Sequence, residues 1–194
     1  MTRRRVTGVV LAGGRSSRFE GDKLAARVDG RTLLANAIDG VTPASVEILV
    51  VAAPGATPRL PRGATLIHDP VAFEGPLAGL EAGLRAAHES LVIVVGGDMP
   101  TLVGAVVESM LVELDQPDVD AVVLEHDGRA RPLPLAVRRE PAMAAATRLL
   151  ADGERRLRAL PEALATRVIP ESTWRVLDPE ARTIHDIDTP ADLG

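Results

Sequence analysis

Cysteine and tyrosine are both missing from this 194-residue chain, which also holds only two phenylalanines and one tryptophan. Without cysteine there is no disulfide, no thiolate nucleophile and no thiolate metal site. Aromatics at 2% leave no stacking platform of the kind that single-stranded nucleic acid needs. A net charge of −5 removes the broad basic field of a nucleic-acid binder. No apolar run approaches the ~20 residues that span a bilayer, and no leader-like stretch precedes the first apolar run. These gaps together predict a cytoplasmic protein that binds neither nucleic acid nor membrane. Arg3-Arg4-Arg5 reads as a solvated tail, the other reading being that it steers an anion.

What is present is a chain with 46% hydrophobic residues, enough for a substantial core in a single domain over 1–194. With so few aromatics, that core must be built from Val, Leu, Ile and Ala. Apolar runs at Val6–Leu11, Val46–Ala52, Thr65–Ile67, Leu91–Val95, Ala121–Leu124 and Leu133–Val137 read as strands. Between them, Thr32–Asp39, Leu77–Ala87, Val103–Asp115, Pro141–Ala151 and Arg156–Ala165 read as helices. Strands alternating with helices of this length predict an α/β fold with a mostly parallel sheet covered on both faces. The closing stretch, Ile184 to Pro190, reads as a short strand entering a helix, with Thr189 as its cap and Pro190 at the first position.

Three clusters carry the chemistry. The first strand ends in Leu11-Ala12-Gly13-Gly14, followed by Arg15, Arg18 and Lys23. Glycines let backbone N–H groups approach an anion, and the cations supply charge, so the segment reads as a phosphate cradle at a strand end. It is neither a P-loop, because Gly14-Arg15 stands where Lys-Ser/Thr is required, nor a G-x-G-x-x-G fingerprint. Asp98 follows the apolar strand 91–95 and is placed to hold Mg²⁺, a hard cation that takes carboxylate and phosphate oxygens. The other reading of Asp98 is a helix cap, for which Thr101 is the better candidate. The third cluster is Asp69 followed by Gly75-Pro76-Leu77-Ala78-Gly79-Leu80, where Gly79 and Gly83 leave room on one helix face, either for a ligand or for close packing. Arg129 and Arg131, with Gly153-Glu154-Arg155-Arg156, add four arginines in two loops. They are suited to phosphate or to a planar ring, or to a charge network at a helix start. The histidines (68, 88, 126 and 185) show no metal-ligand spacing.

Leu11-Ala12-Gly13-Gly14-x-Ser16-x-Arg18 with Asp22-Lys23 resembles the nucleotide loop of the molybdenum cofactor guanylyltransferases, the MobA-type nucleotidyltransferases. The family usually reads Arg-Met-Gly-x-Asp-Lys; here Phe19 replaces Met and Glu20 stands where Gly is usual. Asp98-Met99-Pro100 is similar to the family's metal-binding Asp-x-Pro. Gly75-Pro76-Leu77-x-Gly79-Leu80 is similar to its loop near the base. A family Asn at the end of the second strand meets only Val51, Ala52 or Ala53. The resemblance runs in order from Val9 to Leu193.

The resemblance implies a three-layer α/β/α sandwich of the Rossmann-like nucleotidyltransferase type, with an antiparallel portion near Leu133–Val137. It implies transfer of GMP from GTP to the terminal phosphate of molybdopterin, with Mg²⁺ on Asp98 and pyrophosphate leaving. Lys23, Arg18 and Asp98 are then the catalytic residues. The nucleotide site is Leu11, Ala12, Gly13, Gly14, Lys23, Asp69, Gly75, Pro76, Leu77, Gly79 and Asp98. Arg131, Arg155, Arg156, Asp186 and Asp188 fall where the family meets its acceptor. Transient contact with molybdoenzyme maturation proteins also follows. Two alternatives stay open: a cytidylyl- or sugar-phosphate nucleotidyltransferase of the same fold, and a carrier that binds nucleotide or molybdopterin without chemistry.

Overall fold

The computed structural model describes residues 4–13, 23–28, 30–69, 75–187, 189 and 192. Its strands are β1 (Val6–Leu11), β2 (Arg27–Val28), β3 (Arg31–Thr32), β4 (Glu47–Ala52), β5 (Ala64–His68), β6 (Leu91–Gly96), β7 (Ala121–His126), β8 (Arg129–Arg138) and β9 (Thr166–Ile169). Its helices are α1 (Leu33–Val41), α2 (Pro76–Ala86), α3 (Gly104–Leu114), α4 (Arg139–Ala151) and two single turns, α5 (Ala159–Glu162) and α6 (Glu171–Trp174). Seven strands form one sheet in the order β5-β4-β1-β6-β8-β7-β9. Only β8 runs against the others, pairing antiparallel with β6 and β7. The sheet is therefore mostly parallel, with its antiparallel portion where Leu133–Val137 was expected.

The two faces of the sheet explain the apolar runs. Val6 and Val10 of β1, Val50 of β4 and Ile93 and Val95 of β6 pack on α1 and α3. The alternate residues Val9, Leu49, Val51, Val92 and Val94 pack on α2 and α4. Because successive strand side chains point to opposite faces, a strand covered on both must be apolar throughout. The core is the aliphatic one expected, apart from Trp174, which is fully buried and donates its indole N–H to Glu125 O at 2.8 Å. Gly8 is a packing glycine: a Cβ there would lie 2.8 Å from Ser45 Oγ and 2.9 Å from Ile48 Cδ1. No described helix is long and apolar enough to cross a membrane.

Several local expectations need correction. Residues 156–165 form only the single turn α5, because Gly153-Glu154-Arg155-Arg156 closes on itself instead of starting a helix. Ile184–Ile187 is no strand; Arg182–Ile184 is a 3-10 turn, and 185–187 has no regular structure. The expected helix after it falls largely outside the described residues, although Thr189 N and Oγ1 both donate to Asp192 Oδ2, at 2.7 and 2.9 Å. Thr101 does not cap α3; the cap position is Val103. Arg4 and Arg5 are not a free tail. Arg4 pairs with Asp115 and Glu108, and Arg5 with Glu89. The hairpin β2–β3 and the edge strand β9 escaped the reading, as did the β7–β8 turn at Asp127-Gly128. Both of its residues have positive φ, 51° and 70°, as a two-residue hairpin of this type demands.

At the N-terminal ends of β1 and β4 the polar groups satisfy one another. Glu47 Oε2 accepts from Thr7 Oγ1 at 2.6 Å and from His88 N–H at 3.0 Å. Partial burial pushes the Glu47 carboxyl up, but the bonds from Thr7 and His88 outweigh it and hold it below its ordinary value. A carboxylate with a lowered folded pKa stabilises the fold above its unfolded pKa, and that contribution is lost as pH falls through the folded one. Glu47→Gln is expected to cost about 1–2 kcal/mol at neutral pH. Its deficit against the parent should vanish in strong acid, which urea melts across the pH range would read.

Candidate active site

The C-terminal ends of β1, β4 and β6 come together in one place. Leu11 is in register with Val51 on one side and Gly96 on the other. Beyond the paired residues, Ala12 N–H donates to Val51 O at 2.7 Å and Gly97 N–H donates to Leu11 O at 3.0 Å. The loops leaving these strands therefore start from fixed points. Open parallel sheets bind ligands at such strand ends.

A cavity of about 600 Å³ opens at the β1 and β4 ends, within the range of small-ligand sites. Leu11 and Gly13 contribute from β1, Val51 to Pro54 from β4, and Gly75, Pro76 and Gly79 from the start of α2. Asp69 is the one ionisable side chain among these lining residues, held at the end of β5 by its N–H to Ala52 O at 2.9 Å. The lining is apolar apart from a single carboxylate, which fits a ring bearing N–H or O–H donors.

The α2 glycines divide between the two readings offered by the sequence. Gly83 serves packing: a Cβ there would stand 2.8 Å from Val9 Cγ1 and 3.1 Å from Val51 Cγ2. Gly79 faces the cavity, where its Cβ would meet Asp69 Oδ2 only at 3.7 Å. Gly75 is fixed by backbone. It has φ 93° and ψ 170°, a region open essentially only to glycine, and its Cβ would lie 2.9 Å from Arg155 O.

On the other side of β1's end, Asp98 follows β6 through Gly96-Gly97. Its Oδ2 accepts from Lys23 Nζ at 2.9 Å, and the lysine side chain is 12% exposed. Lys23 begins a 3-10 turn, Lys23–Ala25, whose Leu24 covers Gly97, where a Cβ would sit 3.3 Å from Leu24 Cδ2. Gly96 leaves a notch that a methyl would fill, directly against Asp98 Oδ1. The fold thus keeps one carboxylate and one ammonium together beside the ends of β1 and β6.

The residues expected at an acceptor split into two groups. Arg131 and Asp186 come together, Nη2 to Oδ1 at 3.9 Å, on the Asp98 side, because the next residue, Ile187, donates its N–H to Asp98 O at 3.0 Å. Arg155 and Arg156 belong to a separate segment, in which Arg155 O accepts from Leu77 N–H at the start of α2, at 3.4 Å. Arg155 Nη1 donates to Leu150 O at 3.0 Å and Glu154 O at 2.9 Å. Glu154 Oε1 accepts from the N–H groups of both arginines at 2.8 Å, and Arg156 Nε reaches the same oxygen at 2.9 Å. The Arg156 guanidinium and these amides hold the Glu154 carboxyl well below the carboxylate range. This is the charge network that formed the second reading of the segment. Gly14, Arg15, Arg18, Glu20 and Asp188 lie outside the described residues.

Spacing gave no metal set for the histidines, yet the fold brings His126, Asp127 and Glu171 together, with one ligand atom from each within 4.8 Å of the others. Glu171 is occupied by the chain itself. It accepts from Asp127 N–H at 2.9 Å, from Arg175 Nε at 3.0 Å and pairs with His126 Nδ1 at 3.0 Å. Those contacts hold its carboxyl below the ordinary value, and the cluster fastens the β7–β8 hairpin to α6. Sequence spacing could not reveal the cluster, because 44 positions separate Asp127 from Glu171.

An α/β sandwich with a ligand cavity, a lysine and an aspartate at the parallel strand ends is the frame of a nucleotide-handling enzyme. Residues 8–168 match the family model described as the MobA-like NTP transferase domain. A relative from Chloroflexus aggregans named "Probable molybdenum cofactor guanylyltransferase" is 36% identical over 97% of this chain and 91% of its own length. Among solved structures, molybdopterin-guanine dinucleotide biosynthesis protein A from Archaeoglobus fulgidus superposes with TM-score 0.78 at 24% identity, covering 96% of this chain and 94% of that one. The 2-C-methyl-D-erythritol 4-phosphate cytidylyltransferase of Thermus thermophilus has the same fold, with TM-score 0.71 at 21% identity over 95% and 94% of the two chains. The chain belongs to the MobA-like NTP transferase family. It is a nucleotidyltransferase.

Two glycines give a matched test of this geometry. Gly75→Ala is expected to lower stability by about 1–3 kcal/mol, since both its φ and Arg155 O oppose a side chain. Gly79→Ala, within a helix and with only ordinary contacts at 3.7 Å, should leave stability unchanged or raise it by up to about 1 kcal/mol. Thermal unfolding of the pair checks this.

Proposed function

We propose that this nucleotidyltransferase moves GMP from GTP to the terminal phosphate of molybdopterin and releases pyrophosphate. The observation that carries the reading is a cavity at the C-terminal ends of β1 and β4, with the Lys23–Asp98 pair at the adjoining end of β6, in register with Leu11 of β1. The names of its relatives and the Leu11-to-Gly14 and Gly75-to-Leu80 motifs support guanine as the base and the molybdenum cofactor as the product's destination. In this reading residues 1–194 act as a single domain, in the cytoplasm where GTP is found, and the product passes on through transient contact with molybdoenzyme maturation proteins.

The nucleoside lies in the apolar cavity, and Asp69 accepts from its donors. The triphosphate runs from the Ala12–Gly13 backbone towards Lys23. Arg18, five residues before Lys23 in sequence, adds charge. One acceptor oxygen forms the new bond to the α-phosphorus as the bond from that phosphorus to the bridging oxygen of pyrophosphate breaks. A phosphate nucleophile is already anionic near neutral pH, so no general base is required. Catalysis then rests on positioning and on neutralising charge. The Gly96 notch and the hard oxygen donor of Asp98 fit Mg²⁺. When bound, that ion supplies charge neutralisation on phosphate oxygens. Lys23 holds phosphate oxygens by its ammonium. Arg131 and Asp186 receive the acceptor, while Arg155 and Arg156 act on the same side as α2 and shape the rim below Gly75.

Pyrophosphate release with each nucleoside triphosphate, with and without purified molybdopterin, tests the reading. GTP turnover that needs both Mg²⁺ and molybdopterin is expected. Preference for CTP would move the assignment to a cytidylyltransferase, and binding without pyrophosphate release would leave a carrier. Asp98→Ala should lower the rate on the order of 10²–10³-fold, and Lys23→Ala should raise KM for the nucleotide more than it lowers kcat.

A further inference from the structure

We propose that residues 178–187 form a strap that positions Asp98, and that Asp178 is its anchor. The loop from Asp98 to Val103, between β6 and α3, has few bonds of its own: Met99 N–H closes a turn on Gly96 O at 3.2 Å. Three others come from the strap. Ile187 N–H donates to Asp98 O at 3.0 Å. Thr101 Oγ1 donates to Arg182 O at 2.8 Å. Thr183 Oγ1 accepts from Val103 N–H at 3.2 Å. Val103 holds the cap position of α3 and has no polar side chain, so the Thr183 hydroxyl answers from the strap for a group the helix start leaves open.

Asp178 fixes the strap's shape. Its side chain is fully buried, and its Oδ2 accepts from Thr183 N–H at 2.7 Å. Its own N–H donates to Trp174 O at 3.2 Å, and its carbonyl accepts from Ala181 N–H at 3.0 Å. Ala181 has φ 55°, a turn held by those flanking bonds. The nearest cation is Arg182, whose Nε lies 3.8 Å from Oδ1. Buried carboxylates are costly unless hydrogen-bonded. Burial pushes the Asp178 carboxyl up, and the bonds from Thr183 with the field of Arg182 bring it below its ordinary value, so it acts as an anion. The chain of contacts is continuous: Trp174 in the core, Asp178, Thr183, then Val103 at the far end of the loop that begins at Asp98. A carboxylate ligand depends on such outer partners, whose loss commonly costs 10–100-fold in metal affinity or activity.

This inference rests on the reading of Asp98 as a metal ligand, and the test separates the two. Binding of a fluorescent N-methylanthraniloyl GTP is titrated with Mn²⁺ and with EDTA; the ratio of the two dissociation constants is the metal's contribution. Asp98→Asn should bring that ratio close to one. Asp178→Ala should lower it about tenfold, and Asp178→Asn, whose amide oxygen still accepts from Thr183, should retain most of it. Glu47→Gln, at the far end of the sheet, should lower the melting temperature and leave the ratio unchanged. A folded Asp178→Ala protein with the parent's ratio overturns the strap while leaving Asp98 in place. An unchanged ratio in Asp98→Asn overturns the metal reading and the strap with it. If Asp178→Ala does not fold, Thr101→Val removes one bond from the strap to the loop, with an expected loss of about threefold, and no loss there overturns the proposal.

Discussion

Everything at the functional end hangs on the pairing of β1 between β4 and β6. Leu11 sits level with Val51 and Gly96, and the two bonds just beyond the strand tie its exit to both neighbours. This register is set by burial. Val6 and Val10 enter one core and Val9 the other, so a one-residue slip would exchange the faces of a central strand. Close approach is part of the same constraint. Gly8 admits Ser45 and Ile48 on one face, and Gly83 admits Val9 and Val51 on the other.

The sheet's two ends have opposite characters. At the N-terminal ends, Thr7, Glu47, His88, Glu89 and Arg5 bind one another. At the C-terminal ends the backbone turns outward around a cavity, and glycine replaces side chains at positions 75, 79 and 96. Position 75 receives the Arg155 carbonyl, and positions 79 and 96 face the Asp69 and Asp98 carboxylates. The polar chemistry therefore collects where the fold leaves room. The same end gathers segments far apart in sequence: Lys23 in a 3-10 turn, Asp98 after β6, and Ile187 near the C-terminus.

Much of this was legible because burial on both faces writes continuous apolar runs. Val6–Leu11 was read to the residue, and the runs at 46–52, 65–67 and 91–95 differ from the observed strands by a residue or so. The edge strand β9 and the two-residue strands β2 and β3 were not. In β9, Arg167 and Val168 are exposed, so Thr166-Arg167-Val168-Ile169 shows neither a full run nor a clean alternation. Asp127-Gly128 was a readable hairpin signal that would have extended β8 back to Arg129. The segment after Gly153 misled because Glu154 and its arginines satisfy the backbone locally and stop a helix from starting there. Of the site, the glycine loops and Asp98 stand out by type and spacing. The contacts of Lys23, Thr183 and Asp178 do not, since each links segments brought together only by the fold.

Hydrogen–deuterium exchange with and without GTP and Mg²⁺ tests the central claim most directly, because it reports where along the backbone a ligand is gripped. The account predicts new protection in Leu11–Gly13, Ala52–Ala53, Asp69, Gly75–Gly79 and Gly97–Met99 together, with Thr7, Glu47 and His88 unchanged. Protection confined to the Glu47–His88 end, or to only one of the three strand ends, would contradict it.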